Sequence, residues 1–410
     1  MSFSKASVRD ADVAGHRVLV RVDFNVPLDG GAVADDMRIQ AALPTIELLR
    51  ERGAALILVS HLGRPGGKVC PELSLAPVAK RLGELLGIEV TMASGLVGDG
   101  VDLHCGALGP GDVMLLENTR FDPRETANDA SLAEALAQLG DLYVNDAFGA
   151  AHRAHASTEG VAHYLPAYAG LLLEREMNEL TAVVESPTKP LVVVLGGSKV
   201  SDKIGVIDRF LEVADQILIG GAMCFSFFRA QGIGTGDSLV EEAGVKLAEE
   251  ALERAKGSGC ELTLPVDLVL GKSFAADTER RQSDGVEVPD GWMGLDVGPR
   301  TAKLYAEAVA GAGTVLWNGP MGAFEMEPFA GGTRTVAEAV ATAPGTTVIG
   351  GGDSVAALRK FGLDDRVDWL STGGGASLEL LEGKKLPGVE VLLDKDAPAK
   401  ETPSKERTDA

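Results

Sequence analysis

Short apolar runs alternate with amphipathic segments along almost the whole chain. The runs are rich in valine, isoleucine and leucine, as buried strands are, and the segments between them carry apolar residues at helical spacing. The predicted strands are residues 18–22, 54–59, 113–116, 142–144, 191–195, 216–219, 261–264, 314–317, 346–349 and 367–370. Two of the predicted helices lie near residues 37–52 and 75–86. This alternation predicts an α/β fold of parallel sheets covered by helices on both faces.

The chain has 410 residues, which is too long for one ordinary hydrophobic core, so two domains are expected. No flexible Gly/Ser linker separates the two halves. Instead, Leu171–Glu185 has a strong helical pattern that ends before Ser186 and Pro187. We predict two doubly wound parallel-sheet (Rossmann-like) domains, residues 1–170 and 188–387, joined by a helix and hinge at 171–187. The polar tail at 396–410 is predicted to be disordered.

The stretch from Leu191 to Leu211, near the midpoint of the chain, is typical of an anion site. An apolar strand leads into the turn Gly196-Gly197-Ser198 and then into a run with helical spacing. Unpaired backbone N–H groups at such a helix start face an anion. Lys199 and Lys203 lie four residues apart, so a helix would place both ammonium groups on one side. They are either phosphate ligands or two solvated surface lysines, and this stretch alone leaves both readings open.

Two further glycine-rich turns occur in the second half. The sequence GGGDS at 350–354 follows a predicted strand, and its Asp353 is placed to hold Mg²⁺ between phosphate oxygens. The sequence STGGG at 371–375 repeats the arrangement before a predicted helix at 376–382. Together the three turns indicate a nucleotide polyphosphate site. The sequence GKS at 271–273 is not a P-loop, because Val266 stands where the first glycine is required.

Cationic and imidazole side chains collect after the strands of the first half, and Asp23 and Asn25 lie beside them. The set comprises Arg38, His61, Arg64, Arg120, His152, Arg153 and His155. Guanidinium groups bind phosphate and carboxylate oxygens bidentately, so the set predicts a site for a small anion that carries both groups. Any single arginine could instead pair with a neighbouring carboxylate. His152 and His155 are interpreted as groups that orient arginines, and His61 as a better direct ligand.

Composition restricts the partners and the location. The net charge of −22 argues against nucleic acid or an anionic membrane as a partner. The four cysteines form no CxxC pair, which suggests a reducing compartment. No apolar signal core opens the chain, and no apolar run reaches transmembrane length. A cytoplasmic location is therefore expected.

Eight motifs, in order from about Arg17 to Leu393, together give the chain a recognisable pattern. They are RVDFNVP, SHLGRP, LLENTRF, NDAFGAAHRAH, LGGSKVSDKI, WNGPMGAFE, GGGDS and STGGGASLE. In this combination the chain resembles the phosphoglycerate kinase family. The resemblance implies a monomeric two-domain α/β enzyme that transfers the acyl phosphate of 1,3-bisphosphoglycerate to ADP, giving 3-phosphoglycerate and ATP, with Mg²⁺. It also implies that a C-terminal segment, 388–395, packs back on the N-terminal domain.

The resemblance implies a role for individual residues of this sequence. The residues that would bind 3-phosphoglycerate are Asp23, Phe24, Asn25, Arg38, His61, Leu62, Gly63, Arg64, Arg120 and Arg153. Those that would bind nucleotide are Lys199, Lys203, Gly294, Asn318, Pro320, Glu325, Gly351, Gly352, Asp353 and Ser354, with Asp353 as the metal ligand. The residues expected to act on the transferred phosphoryl group are Arg38, Lys199, Gly352 and Gly375. Ser354 departs from the threonine that is common in the family, but it retains a hydroxyl group.

The resemblance implies direct in-line transfer after domain closure, without a covalent intermediate. Because the acyl phosphate is reactive and the attacking phosphate oxygen is already ionised, neither a general acid nor a general base is needed. Two other classes of function remain open: a transferase that acts on a different carboxylate, and an inactive scaffold of the same fold. The first would need a changed set of arginines, and the second predicts loss of Lys199, Arg38 or Asp353.

Overall fold

The computed structural model describes residues 3–396 and divides into two compact units. The N-terminal unit comprises residues 3–178 together with 385–396, and the C-terminal unit comprises Glu179–Lys384. The boundary between 178 and 179 falls inside one helix, Leu171–Glu185, whose bounds match the predicted connector. The predicted tail lies outside the described residues except for Asp396.

The main sheet of the N-terminal unit has six parallel strands in the order β5-β6-β4-β1-β7-β8, and β2 and β3 form a separate small hairpin. The strands are β1 (Arg17–Arg21), β2 (Leu28–Asp29), β3 (Ala32–Val33), β4 (Ala55–Val59), β5 (Val90–Met92), β6 (Val113–Leu115), β7 (Leu142–Asn145) and β8 (Ala167–Ala169). The helices are α1 (Met37–Glu51), α2 (Ala76–Leu86), α3 (Asp99–Ala107), α4 (Pro123–Thr126), α5 (Ala130–Leu139) and the connector α6 (Leu171–Glu185).

The C-terminal unit has a second six-stranded parallel sheet, in the order β11-β10-β9-β15-β16-β17. Its strands are β9 (Leu191–Leu195), β10 (Gln216–Ile219), β11 (Glu261–Thr263), β15 (Thr314–Asn318), β16 (Thr346–Gly350) and β17 (Trp369–Leu370). An additional antiparallel sheet contains β12 (Leu268–Gly271), β13 (Arg280–Gln282) and β14 (Met293–Val297). The helices are α7 (Ile204–Val213), α8 (Cys224–Ala230), α9 (Glu242–Gly257), α10 (Pro299–Ala310), α11 (Gly331–Val340), α12 (Gly352–Phe361) and α13 (Gly375–Leu381).

The C-terminal segment belongs to the N-terminal unit. After the short helix α14 (Pro387–Glu390), the carbonyl of Leu393 accepts a hydrogen bond from the backbone of Ala6 at 2.7 Å. Asn145, at the end of β7, donates to the carbonyl of Gly388 at 2.8 Å, and Lys5 pairs with Asp394 at 2.8 Å. These contacts join the segment to Lys5 and Ala6 near the N-terminus and to the end of β7.

The predicted parallel α/β fold is confirmed. Central strands such as β4 and β9 are buried along their whole length, because parallel strands covered on both faces have no solvent side. The prediction that a helix carries both Lys199 and Lys203 is wrong: α7 begins at Ile204, with Lys203 at its N-cap and Lys199 in the preceding turn. Glu241 stabilises that turn, because its carboxylate accepts bonds from both the backbone and the hydroxyl of Ser201.

Candidate functional site

Asp23 lies just after β1, where it meets Arg38 of α1 and His61, which follows β4. Nη1 of Arg38 donates to Oδ2 of Asp23 at 2.5 Å, and Nδ1 of His61 lies 4.0 Å from Oδ1. The parallel strands bring these residues together because their carboxyl ends share one edge of the sheet. Asp23 and His61 are buried, whereas the side chain of Arg38 is 29% exposed. Arg38 therefore still faces solvent, where a ligand could approach it.

Burial and neighbouring charges act on the two titratable groups in opposite ways. Burial alone would raise the pKa of Asp23, but the charges of Arg38, His61 and Arg21 hold it below the usual value. Burial lowers the pKa of His61 well below 6.5. The charge of Asp23 opposes this shift, whereas the charges of Arg21 and Arg120 add to it. The site thus contains an ionised aspartate and a neutral histidine at pH 7.

Asn25 and Arg120 both contact the tight turn at Gly63. Oδ1 of Asn25 accepts the N–H of Gly63 at 2.8 Å, and Nη1 of Arg120 donates to the carbonyl of Gly63 at 2.6 Å. Gly63 has φ +63, and a Cβ there would lie 2.8 Å from the side chain of Leu73. The turn therefore requires glycine, and both polar side chains are fixed relative to it.

Three arginines, Arg64, Arg120 and Arg153, line a cavity of about 520 Å³ together with His155. Arg64 is exposed, and Nε of Arg120 is buried without a hydrogen-bond partner. Burial, followed by the charge of Arg153, lowers the pKa of Arg120. Like charges held together around a cavity with an unpartnered donor favour an anionic ligand such as a phosphate.

His152 and His155 take different positions. Nε of Arg153 donates to Nε2 of His152 at 3.0 Å, so His152 contacts the arginine that follows it. His155 lies 3.9 Å from the buried carboxylate of Glu125, and burial together with nearby arginines lowers its pKa to about 4. His155 is therefore neutral at pH 7 and adds no charge to the cavity.

Phe24 and Leu62 are core residues. Both side chains are buried, the N–H of Phe24 donates to Ser60, and the N–H of Leu62 donates to Asn118. These positions place the two residues behind Asp23 and His61, where they support the site from the interior.

In the C-terminal unit, Lys203 turns inward from the start of α7. Its ammonium group donates to Oδ1 of Asn318, at the end of β15, while Nδ2 of Asn318 is buried without a partner. Burial lowers the pKa of Lys203 to about 8, although Asp202, Asp353 and Glu382 oppose the shift. Lys199, in contrast, is exposed. A partly desolvated ammonium beside an unused amide donor is a suitable position for phosphate oxygens.

Two loops approach each other backbone to backbone beside this lysine. A Cβ on Gly196 would lie 2.0 Å from the carbonyl oxygen of Pro320, and one on Gly319, which has φ +102, would lie 2.3 Å from the carbonyl oxygen of Gly196. The N–H of Gly197 donates to the carbonyl of Pro320 at 3.2 Å. The loop after β9 and the loop after β15 therefore form one surface that only glycines permit.

Asp353 is exposed in the first turn of α12, next to Gly352. The N-cap of this helix, Gly351, has φ +86. Ser354 is buried, and its hydroxyl accepts the N–H of Gly319 at 2.6 Å, which ties α12 to the loop after β15. Gly375 is the first residue of α13. Within residues 3–396, no cluster of three or more His, Cys, Asp or Glu side chains could hold a metal ion.

A cavity of about 560 Å³ lies beside these loops and has a largely apolar wall. Its lining includes the predicted residues Gly294, Pro320, Glu325 and Asp353, and also Ser198 and Met321. Gly294 is required there, because a Cβ would lie 2.2 Å from the ring of Phe225. Such a pocket, apolar on one side with carboxylates and loop amides on the other, suits a base and ribose joined to phosphates.

Sequence reasoning missed the apolar wall of this cavity, which includes Phe225, Leu239 and Phe274. Leu239 and Phe274 are 63% and 70% exposed, which is unusual for large apolar side chains. Phe274 directly follows the GKS sequence that was dismissed as a P-loop. Leu239 and Phe274 lie in loops, where no periodicity marks them, and Phe225 lies on the short helix α8.

A sequence profile of phosphoglycerate kinase matches residues 8–384 of this chain. The chain belongs to the phosphoglycerate kinase family. The phosphoglycerate kinase of Roseiflexus sp. (strain RS-1) is 55% identical over 396 residues, which cover 96% of this chain and 100% of the relative. The phosphoglycerate kinase of Moorella thermoacetica is 55% identical over 393 residues, with coverage of 96% and 100%.

Solved phosphoglycerate kinases share the fold. The structure from Coxiella burnetii has a TM-score of 0.85 and 42% identity, and the match covers 94% of this chain and 98% of that one. The structure from Pyrococcus horikoshii OT3 has a TM-score of 0.84 and 33% identity, with the same coverage. As a member of this family, the chain is a phosphotransferase with a carboxyl acceptor, and the family implies a nucleotide and a phosphoglycerate as its substrates. Within residues 3–396, no helix has the length and apolar character needed to cross a bilayer.

Proposed function

We propose that the N-terminal unit binds 3-phosphoglycerate or 1,3-bisphosphoglycerate and that the C-terminal unit binds Mg·ADP or Mg·ATP. The observation that carries this assignment is the different chemistry of the two cavities. One is lined by Arg64, Arg120 and Arg153, and the other by apolar side chains with Glu325 and Asp353. A small doubly anionic acid suits the first, and a purine nucleotide suits the second.

In the N-terminal unit, Arg64, Arg120, Arg153 and His61 bind the phosphate that is not transferred. The ionised Asp23 accepts a hydrogen bond from a glycerate hydroxyl, and Asn25 also hydrogen-bonds to the glycerate. Arg38 reaches the carboxyl end and the transferred group. This assignment is supported by the partial exposure of Arg38 and by the unpartnered Nε of Arg120.

In the C-terminal unit, Lys203 and Asn318 bind nucleotide phosphates, Glu325 accepts from the ribose hydroxyls, and Gly294 and Pro320 line the cleft. Lys199 follows the transferred phosphoryl group, and the amides near Gly352 and Gly375 face it. Asp353 fits a magnesium ion carried by the nucleotide, because Mg²⁺ at such sites takes one or two carboxylates and fills its other positions with phosphate oxygens and water. The ion supplies charge neutralisation between phosphate oxygens.

The protein contributes position and charge to the reaction. The nucleophile is an oxygen of the ADP phosphate and the leaving group is a carboxylate, so no side chain must move a proton. Arg38 and Lys199 neutralise the charge on the equatorial oxygens of the transferred group. A water molecule at this point would hydrolyse the acyl phosphate, so we infer that domain closure, with a hinge in residues 171–187, precedes transfer.

We further propose that the enzyme acts in the cytoplasm as a monomer, without a nucleic-acid or membrane partner. Support comes from the net charge of −22, which disfavours anionic polymers and surfaces. The four cysteines are all free, which is compatible with a reducing compartment.

The activity is tested by a coupled assay that follows ATP-dependent phosphorylation of 3-phosphoglycerate with Mg²⁺. Turnover should require both substrates and should stop when the metal is chelated. Absence of turnover would instead favour the inactive-scaffold reading, and turnover only with another carboxylate would favour an altered substrate. Neither alternative is supported by a lost side chain, since Arg38, Lys199 and Asp353 are all present.

A further inference from the structure

Arg21 is a fully buried arginine at the carboxyl end of a central strand of the N-terminal sheet. It is the last residue of β1, is only 1% exposed, and pairs in register with Val59 of β4 and Asn145 of β7. A buried guanidinium group is costly unless all of its donors are used, so its partners define what it does.

The guanidinium group of Arg21 is hydrogen-bonded on three sides. Nε donates to the hydroxyl of Ser157 at 2.9 Å, Nη1 donates to the carbonyl of Val22, and Nη2 lies 3.1 Å from Nδ1 of His61. The hydroxyl of Ser157 in turn donates to the buried carboxylate of Glu125 at 2.6 Å, and its backbone N–H donates to the same carboxylate at 3.0 Å. Glu125 thereby fixes Ser157, and Ser157 fixes the plane of Arg21.

The contact with His61 determines where that imidazole carries its proton. Arginine has five N–H donors and no acceptor, so Nδ1 of His61 must be the acceptor and cannot carry a proton. Asp23 is the group that could favour the other tautomer, but its Oδ1 lies 4.0 Å from Nδ1, beyond hydrogen-bond distance. An imidazolium would direct a second N–H at Arg21 and would add a positive charge next to Arg21, Arg38 and Arg120.

We propose that Arg21 is a positioning residue that holds His61 in the neutral tautomer protonated at Nε2, so that His61 offers a single N–H donor to a substrate oxygen. Among the described residues, Arg21 is the one hydrogen-bond partner of the His61 ring. Nε2 of His61 is therefore left for the ligand. The ligand is an anionic oxygen, from a phosphate or carboxylate, and this part rests on the proposed function. Arg21 itself lies behind His61 and acts through it.

The tautomer can be measured without any assay of activity. We suggest long-range ¹H–¹⁵N correlation spectra of the full-length enzyme, labelled with ¹⁵N at its six histidines, from pH 5.5 to 8.5. A His61→Gln variant assigns the His61 signals. His104 is an internal reference for the opposite pattern, because its Nδ1 lies 2.7 Å from the carbonyl of Gly100 and must carry a proton there.

The expected wild-type result is a His61 ring protonated only at Nε2 throughout this pH range. A ring protonated at Nδ1, or at both nitrogens near pH 7, would overturn the proposal. The wild-type spectrum tests the tautomer of His61, and the Arg21 variants test whether Arg21 sets it. Where Arg21→Met folds, the single-tautomer pattern should be lost and the KM for 3-phosphoglycerate should rise roughly tenfold, while the KM for nucleotide is unchanged. A variant that kept the pattern would contradict the role of Arg21.

Addition of 3-phosphoglycerate separates this proposal from the proposed function. A shift of the His61 Nε2 resonance on titration supports both. An unchanged resonance, in an enzyme with the expected tautomer, would overturn His61 as a ligand residue and leave the role of Arg21 in setting the tautomer supported. The conservative variant Arg21→Lys keeps the charge but cannot reach Ser157 and His61 together. It should therefore retain less than half of the wild-type preference of His61 for the tautomer protonated at Nε2.

Discussion

Nη1 of Arg38 lies 2.5 Å from Oδ2 of Asp23, so the arginine proposed to act on the transferred group is held by a buried carboxylate. The contact orients Arg38 while part of its side chain stays exposed to a ligand. It also keeps Asp23 ionised despite its burial.

Replacing Asp23 with asparagine should release Arg38 and raise the KM for 3-phosphoglycerate at least tenfold. Stability should fall by about 1–3 kcal/mol at pH 7, as measured by urea unfolding. Because the folded pKa of Asp23 lies below 3.8, its contribution is present above that pH and is lost as the pH falls through the folded value. A stability difference that grew toward acidic pH would contradict this account.

Lys203 should make nucleotide affinity dependent on pH. Its pKa of about 8 in the free protein means that the ammonium loses its charge as the pH rises above 8, so affinity for ADP should weaken there. Calorimetric titration with Mg·ADP from pH 6.5 to 9.5 measures the change. Lys203→Arg is the matched control, since arginine keeps its charge over this range and should flatten the curve. Equal pH profiles for the two proteins would count against the phosphate contact.

Gly196→Ala should damage the nucleotide site, because the new Cβ would lie 2.0 Å from the carbonyl oxygen of Pro320. We expect a loss of about 2–4 kcal/mol in stability and weaker binding of ADP, measured by urea unfolding and calorimetry. Gly257→Ala is the control, because a Cβ at this position at the end of α9 meets no atom within 4 Å. That variant should change stability by less than about 1 kcal/mol. Similar effects of the two substitutions would argue against the close approach of the loops.

The free energy of unfolding of the N-terminal unit should fall as the pH rises from 4 to 7, and Asp146 is the residue responsible. Its Oδ1 accepts the N–H groups of Leu172 and Leu173 at the start of α6, while Oδ2 is buried without a partner. Burial raises its pKa to about 7, although bonds from Thr45, Leu173 and Leu172 oppose the shift. The folded state therefore binds more protons than the unfolded state between 3.8 and 7, and stability falls as the pH rises.

Asp146→Asn should remove this slope and gain on the order of 4 kcal/mol relative to wild type between pH 4 and pH 7.5. Urea unfolding at several pH values measures the difference. Asp12→Asn, at an exposed position of the same unit, should leave the slope unchanged. An Asp146→Asn variant with the wild-type slope would show that this carboxyl group is not the origin.

The sequence predicted the main sheets because their strands are continuous apolar runs, such as LVVVL in β9. It did not predict the antiparallel sheet of β12, β13 and β14. Strand β13 reads Arg-Arg-Gln and is fully exposed, so it has no apolar pattern to recognise. The edge strands β5 and β8 were also missed, because their sequences, Val-Thr-Met and Ala-Tyr-Ala, do not form a run of branched apolar residues.

For the site, the rule that ligands bind at the carboxyl ends of parallel strands brought Asp23, His61 and Asp353 to attention. The contact between Lys203 and Asn318 joins residues 115 positions apart, and no local pattern encodes such a pair. The exposed Phe274 at the nucleotide cavity is likewise recognisable only from its surroundings in the folded chain. Local chemistry was therefore predictable, and long-range pairing was not.

We propose that Arg38 and Lys199, one from each unit, act on the same phosphoryl group. The most direct test measures kcat and nucleotide affinity for Arg38→Ala and Lys199→Ala, with Lys246→Ala as a control at a side chain that is 83% exposed. The account predicts that each of the first two variants lowers kcat by roughly 10²–10³, that Arg38→Ala binds Mg·ADP normally, and that Lys246→Ala is fully active. Wild-type kcat in either Arg38→Ala or Lys199→Ala would contradict it.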